Sequence, residues 1–141
     1  MKVIFLSLFL FSMQLAFSQN FNTIGVSEMD TLAAAKVDVE ASVDEKEWVV
    51  HLTNELEPVI KKAAKKGLKA GFYTVRVRFL VEKDGSINYV RALNDPGYDL
   101  AKAAIKGIQT GPRWRPGIRN GKTVRSFQTQ PICFVIQYGK S

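Results

Sequence analysis

Residues 73–82 read Tyr-Thr-Val-Arg-Val-Arg-Phe-Leu-Val-Glu. Apolar residues take alternate positions of this stretch, and Arg76 and Arg78 lie between them. Because successive side chains of a strand point to opposite faces, the pattern predicts a β-strand with one buried and one wet face. The residues predicted for the buried face are Val75, Val77, Phe79 and Val81. A Lys-Asp-Gly-Ser turn at 83–86 then leads to a second predicted strand at 87–93.

Two amphipathic helices are predicted on either side of this pair of strands. Ser42, with Glu45 three residues later, has the form of a capping box and predicts that a helix follows. The apolar face of that helix is formed by Trp48, Val49, Leu52 and Leu56. Pro58 is predicted to interrupt or restart it, because proline cannot donate the helical hydrogen bond. The second helix is predicted over residues 100–108, where apolar residues recur with helical spacing.

Residues 124–138 are predicted to form one long final strand. Pro131 lies within it, and a proline in a sheet belongs at an edge or a bulge because it has no N–H to donate. The order helix, strand, strand, helix, strand predicts an α+β fold. Its expected form is a three-stranded, largely antiparallel sheet with two helices on one face.

The N-terminal residues predict an exported protein. Lys2 is followed by an apolar run, and Ala16 and Ser18 supply the small residues that a signal peptidase reads. We expect a signal peptide at residues 1–18 that is cleaved after Ser18, a short tail at 19–36, and one domain at 37–141. An uncleaved N-terminus that anchors the chain in the membrane is the alternative.

The composition offers little for catalysis. His51 is the only histidine and Cys133 the only cysteine, so they cannot complete a zinc site or an intramolecular disulfide. No nucleophile or phosphate-binding motif accompanies them. We expect no enzymatic activity, no cofactor and no metal. The formal net charge is +7, and for an exported chain this charge favours a protein or the cell envelope as partner over nucleic acid.

A basic cluster precedes the final strand. The candidate binding-rim residues are Arg113, Trp114, Arg115, Arg119 and Lys122. Three interpretations are open: a solvated loop with Trp114 packed in the core, a rim that binds protein, or a nucleic-acid site.

The final strand is itself a candidate site, because an exposed edge offers unpaired N–H and C=O groups to an added strand. The candidate peptide-binding residues are Val124, Arg125, Ser126, Phe127, Gln128 and Thr129. The alternative is an edge that is merely protected against aggregation.

These motifs together resemble the C-terminal domain of TonB, in the form common among Bacteroidetes-type bacteria. The resemblance covers residues 37–138. The motifs that carry it include Val-Asp-Val-Glu-Ala-Ser at 37–42, Trp48, Val-Arg-Val-Arg-Phe-Leu-Val at 75–81, Lys-Asp-Gly-Ser-Ile at 83–87, Pro-Arg-Trp-Arg-Pro-Gly at 112–117, Asn-Gly-Lys at 120–122 and Pro-Ile-Cys-Phe at 131–134.

The resemblance implies a periplasmic protein that binds the TonB-box peptide of an outer-membrane receptor by pairing it with the last strand. If the protein is such a binding module, we expect Arg115, Arg119 and Arg125 to meet acidic residues of the receptor. In such systems, inner-membrane proton-driven motor proteins supply force for transport. The chain departs from a full energy transducer because it has a cleavable-looking signal, no proline-rich spacer, and Val-Asp-Glu-Lys at 43–46 where Phe-Pro-Gly-Gly is common. A membrane-anchored transducer and an envelope structural domain without a receptor are the alternative functions.

Overall fold

The computed structural model describes residues 37–138. Within this range it contains two helices and five strands. Their bounds are α1 Glu45–Lys65, β1 Gly71–Val81, β2 Ile87–Ala92, α2 Leu100–Gln109, β3 Gly117–Arg119, β4 Lys122–Val124 and β5 Ser126–Ile136. The signal peptide and tail predicted at residues 1–36 lie outside the described residues.

The main sheet has the order β2-β1-β5, and both pairings are antiparallel. β1 pairs with β5 along its whole length, from Gly71 opposite Ile136 to Val81 opposite Ser126. The strand predicted first from the sequence is therefore the central one. The three-stranded antiparallel sheet of the predicted α+β fold is confirmed.

Both helices cover the same face of this sheet. Val75, Val77, Phe79 and Val81 are fully buried, as their alternation predicted. They pack with Ile132, Phe134 and Ile136 of β5, with Trp48, Leu52, Leu56 and Ile60 of α1, and with Leu100, Ala104 and Ile108 of α2. The buried faces of two layers thus meet in one core, which holds the sheet against the helices.

The opposite face of the sheet, called here the open face, is not uniformly wet. Arg76 is exposed there, as predicted, but Leu80 is completely buried. Leu80 lies opposite Phe127 in the β1–β5 register, and the guanidinium carbon of Arg78 lies 4.7 Å from the centre of the Phe127 ring. The alternation places Leu80 on the face predicted to be wet, and its burial depends on these neighbouring side chains.

Helix α1 differs from the prediction at two points. Asp44 caps it by accepting a hydrogen bond from Glu47 N at 3.0 Å, so the predicted capping role of Ser42 is wrong. Ser42 instead belongs to the extended segment before the helix, because its backbone exchanges hydrogen bonds with the backbone of Arg115. The predicted interruption at Pro58 is also wrong, since α1 continues through it to Lys65. Pro58 lies on the exposed side, and the buried stripe on either side of it holds the helix together.

The long final strand predicted at 124–138 is divided. Val124 belongs to β4, which pairs with β3 in a separate hairpin, and β5 begins only at Ser126. Asn120 and Gly121 form the two-residue turn of this hairpin with φ of 51° and 72°. Positive φ at both positions is what a type I′ hairpin turn requires, and Asn-Gly satisfies it with little strain. The extended segment at 37–42 runs beside β3 through bridges from Val39 to Ile118 and from Ser42 to Arg115.

Candidate functional site: the outer edge of β5

The direction of the backbone groups in β1 decides which groups of β5 are available. Arg76 N donates to Asn94 Oδ1 at 2.8 Å, and Arg76 O accepts from Leu93 N at 2.7 Å. The backbone groups of Arg76 therefore point away from β5. Because these groups alternate in direction along a strand, those of the odd-numbered β1 residues, such as Val75 and Val77, point towards β5.

The same alternation assigns the backbone groups of β5. Ile132 and Gln130, the partners of Val75 and Val77, direct their N–H and C=O inward to β1. The outward-facing residues are Phe127, Thr129, Pro131, Cys133 and Val135. Pro131 thus occupies a position where its missing N–H costs no hydrogen bond to β1. Its predicted place at an edge is confirmed.

The outward groups form an open ladder. Within residues 37–138, the backbone N–H groups of Phe127, Thr129, Cys133 and Val135 make no hydrogen bond outside the sheet. Thr129 and Pro131 are exposed, and the other outward residues are half-buried. An extended peptide can therefore meet this edge with the donors and acceptors that a new strand needs.

The structure separates the six residues predicted for the edge. Phe127 and Thr129 direct their backbone groups outward, whereas Ser126 and Gln128 bond inward to β1. Val124 is paired with Gly117 in the small hairpin, so its predicted place on the edge strand is wrong. The Asn-Gly turn and the short β3–β4 pairing account for this difference.

Arg125 lies between β4 and β5 in the chain, so its predicted place on the edge strand is also wrong. Its Nε lies 2.7 Å from Glu82 Oε2, and its Nη2 lies 3.0 Å from Glu82 Oε1. These hydrogen bonds, and one from Asn88 Nδ2, lower the pKa of Glu82 below its ordinary value. The pKa of Arg125 is raised by the same hydrogen bond to Glu82. Its guanidinium is thus already committed to a carboxylate of its own chain.

Trp114 does not lie on a rim. Its side chain is 5% exposed and packs edge-on against Trp48 and Phe79, with ring centroids 5.6 and 5.1 Å apart. The prediction that it is a surface binding residue is wrong, and the core alternative describes its position. The indole fills the space between α1 and β1, where its burial is more favourable than exposure.

The basic residues around Trp114 divide into two groups. Arg113 is tied to the β1–β2 turn, because its Nη1 donates to Asp84 O at 2.8 Å. Arg115, Arg119 and Lys122 are exposed on the β3–β4 hairpin and its approach, and they form no ion pair within residues 37–138. These three side chains are available to a partner, whereas Arg113 is partly engaged.

The six candidate residues end at Thr129 and leave out the second half of the edge. Cys133 and Val135 present outward backbone groups as Phe127 and Thr129 do. The signal was present in Pro131: once that residue is placed with its nitrogen outward, a period of two assigns the others. Cys133 is half-buried on the open face and is not part of the core.

The remaining candidates for chemistry have structural partners. His51 Nε2 lies 2.9 Å from Gly107 O, so the ring bridges α1 and α2. Among residues 37–138 there is no group of three or more His, Cys, Asp or Glu side chains placed to hold a metal ion. No helix in this part of the chain has the length and apolar character needed to cross a membrane.

These features define a class: an α+β domain whose small sheet is covered by helices on one face and leaves the outer edge of β5 unpaired within residues 37–138. Residues 61–136, more than half of the chain, match the family model for the C-terminal domain of the Gram-negative bacterial TonB protein. The chain therefore belongs to the TonB C-terminal family. A comparison with curated proteins found no match.

Membership confirms the family resemblance drawn from the sequence motifs. The matched residues begin in the last turns of α1 and end with β5, so they include the whole main sheet and its open edge. The family is a non-enzymatic, transport-associated one, and it connects the chain to TonB-dependent transport and to the cell envelope.

Proposed function

We propose that this protein binds the TonB-box peptide of an outer-membrane TonB-dependent receptor by adding it as a strand to β5. The observation that carries the proposal is the open ladder of outward backbone groups from Phe127 to Val135. The family connection to TonB-dependent transport supports a receptor as the partner. In strand addition the protein recognises mainly the backbone of its partner, which suits a partner that presents an extended segment.

The expected affinity comes from several small contributions. Each main-chain hydrogen bond is worth about 0.5–1.5 kcal/mol after the exchange with water. Phe127, Thr129 and Cys133 offer both an N–H and a C=O, while Pro131 offers only its C=O. Pro131 therefore limits the ladder at one position, which also protects the edge against pairing with other copies of the chain.

The exposed basic residues beside β5 support attraction of the receptor. Arg115, Arg119 and Lys122 have no carboxylate partner within residues 37–138. Such surface charges accelerate the encounter with an acidic partner more than they strengthen the final complex. Their replacement is therefore expected to lower the association rate and its dependence on salt.

The proposal is tested by a proline at an outward position. Thr129→Pro removes one outward N–H and leaves the β1–β5 ladder intact, as Pro131 does. We expect it to weaken a peptide copied from the N-terminal segment of a receptor of the same bacterium by about three- to tenfold, the value of one hydrogen bond. Thr129→Val is the matched control, because it retains the N–H. Titration calorimetry gives both affinities.

A further control separates binding from folding. Gln128→Pro removes a donor that points to β1, so it should lower the melting temperature. Thr129→Pro should melt close to the wild type. Equal peptide affinity for wild type, Thr129→Pro and Thr129→Val would rule out this edge as the binding site.

The same proposal includes location in the periplasm without a membrane anchor. We expect a mature chain that begins at Gln19 and is found in the soluble periplasmic fraction. Mass spectrometry of the separated cell fractions would measure both. An intact N-terminus in the inner membrane would instead support a transducer that contacts proton-driven motor proteins.

A further inference from the structure

Three arginines lie together on the open face of the sheet. Arg76 and Arg78 belong to β1, and Arg91 on β2 lies directly opposite Arg78. Within residues 37–138 none of the three has a carboxylate at ion-pair distance. Glu82, at the end of β1, is occupied by Arg125. This face therefore carries positive charge that the carboxylates of residues 37–138 do not neutralise.

The Arg78 side chain carries part of this charge towards β5. Its guanidinium carbon lies 4.7 Å from the centre of the Phe127 ring, so the side chain crosses from β1 to β5. Like charges directly opposite each other in a sheet repel, and Arg91 therefore disfavours the reverse orientation. Phe127 in turn holds the guanidinium by a cation–π contact. The cation is thus placed over the edge strand, beside the open ladder.

An added strand would bring its own side chains to this face. Neighbouring strands lie about 4.8 Å apart, and alternate side chains of each strand point to the same face. Arg76 lies opposite Pro131, and Arg78 lies opposite Thr129, both small residues at the surface. The two arginines can therefore extend across β5 towards two alternate side chains of the added strand. Arg91 lies three strand spacings away, about 14 Å, and is too distant to do so.

We propose that Arg76 and Arg78 select a peptide strand that carries carboxylates at positions i and i+2 on the open face. The inference rests on the proposed strand addition and specifies the chemistry of its ligand. The two arginines are themselves two residues apart on one face of β1, so their spacing along the strand equals that of the two carboxylates. Arginine also suits the task because its planar guanidinium can bond a carboxylate at two points.

The experiment compares two synthetic peptides with the full chain. Both have the backbone Thr-Val-X-Val-X-Val-Thr, with glutamate at X in one and glutamine in the other. We expect the glutamate peptide to bind roughly tenfold more tightly at physiological salt, from charge-assisted hydrogen bonds. Arg78→Gln should remove most of this preference, whereas Arg78→Lys should retain part of it. Melting curves verify that each variant is folded.

Arg91→Gln is the matched control, because it removes the same charge from the same face at a greater distance. It should retain most of the preference. Equal affinity of the wild type for both peptides would overturn the inference. So would an equal loss of the glutamate preference in Arg91→Gln and Arg78→Gln, because the preference would then depend on the net charge of the face and not on the position of each arginine. If neither synthetic peptide binds, the inference is also overturned.

The proposed strand addition is judged separately by its own peptide. A receptor peptide that is sensitive to Thr129→Pro, combined with no glutamate preference, would retain strand addition and reject the role of the arginines. A receptor peptide that is insensitive to Thr129→Pro would reject strand addition itself.

Discussion

Arg125 and Glu82 join the beginning of β5 to the end of β1 through two hydrogen bonds, of 2.7 and 3.0 Å. A planar guanidinium that bonds both oxygens of one carboxylate fixes the relative orientation of the two groups. Arg125 is also the residue at which the chain leaves the β3–β4 hairpin and enters the edge strand. The pair therefore positions the end of β5 at which the open ladder begins.

Glu82→Gln should destabilise the protein in a pH-dependent way. The pKa of Glu82 is lowered in the folded chain, chiefly by the hydrogen bond from Arg125. A lowered folded pKa means that the stabilisation is complete above the unfolded value, near 4.5, and is lost as the pH falls through the folded pKa. The melting temperatures of Glu82→Gln and wild type should differ at pH 7 and converge in acid.

Glu57→Gln supplies the control for this experiment. Glu57 forms an ion pair with Lys61 on the exposed side of α1, with side chains 43% and 57% exposed. Solvated pairs of this kind contribute little to stability. A loss at pH 7 as large in Glu57→Gln as in Glu82→Gln would contradict the special position of the Arg125–Glu82 pair.

Trp114→Ala should lower the free energy of unfolding by about 3–5 kcal/mol, the range for loss of a large aromatic from a core. Trp114 packs between Trp48 and Phe79. Urea denaturation measures the change, and Arg119→Ala, on the exposed hairpin, should change stability by less than about 0.5 kcal/mol. A Trp114→Ala protein of wild-type stability that no longer binds peptide would restore Trp114 as a surface contact.

Gly85→Ala should destabilise the protein more than Gly121→Ala. Both residues have positive φ, 83° and 72°, and an alanine in that conformation costs about 1–2 kcal/mol. A Cβ at Gly85 would in addition lie 2.0 Å from Trp114 O, whereas one at Gly121 meets nothing within 4 Å. Chemical denaturation of the two variants should therefore separate conformational strain from steric conflict. If the two variants lose the same free energy of unfolding, the turn at Gly85 can move away from Trp114 O without a cost in stability.

Cys133 offers a direct test of where a peptide binds. Its thiol lies on the half-buried open face of β5, and its backbone groups point to the open edge. We expect a maleimide to label the native protein more slowly than the unfolded chain, and several-fold more slowly again with receptor peptide present. Thr129→Pro should reduce this protection at the same peptide concentration. Labelling that is unaffected by saturating peptide would place the peptide elsewhere.

Several features of the fold followed from local sequence. The alternation in β1 identified the buried residues Val75, Val77 and Phe79, because a strand fixes the face of each side chain by its position. Pro131 predicted the edge for an equally local reason. Pro58 shows the limit of such arguments: it satisfies the rule for a helix breaker, yet the buried residues around it keep α1 continuous.

The rim around Trp114 shows a different limit. Its neighbours Arg113 and Arg115 are exposed, and the turn-forming residues beyond them are typical of a surface loop. The indole packs against Trp48 and Phe79, and the Trp114 backbone is held at the β1–β2 turn, where Gly85 O accepts a hydrogen bond from Trp114 N at 3.1 Å. That contact joins residues far apart in the chain, so no local pattern could indicate it.

The sequence by itself determined the side-chain faces of the strands and the helices, and its motifs indicated the TonB C-terminal family. The tertiary structure alone decided that β5 begins after Arg125, that Trp114 is internal, and that Thr129 rather than Gln128 presents its N–H outward. The physical reason is geometric. Hydrophobic alternation records which way side chains point, perpendicular to the sheet, whereas backbone hydrogen bonds lie within the sheet and depend on which strand is adjacent.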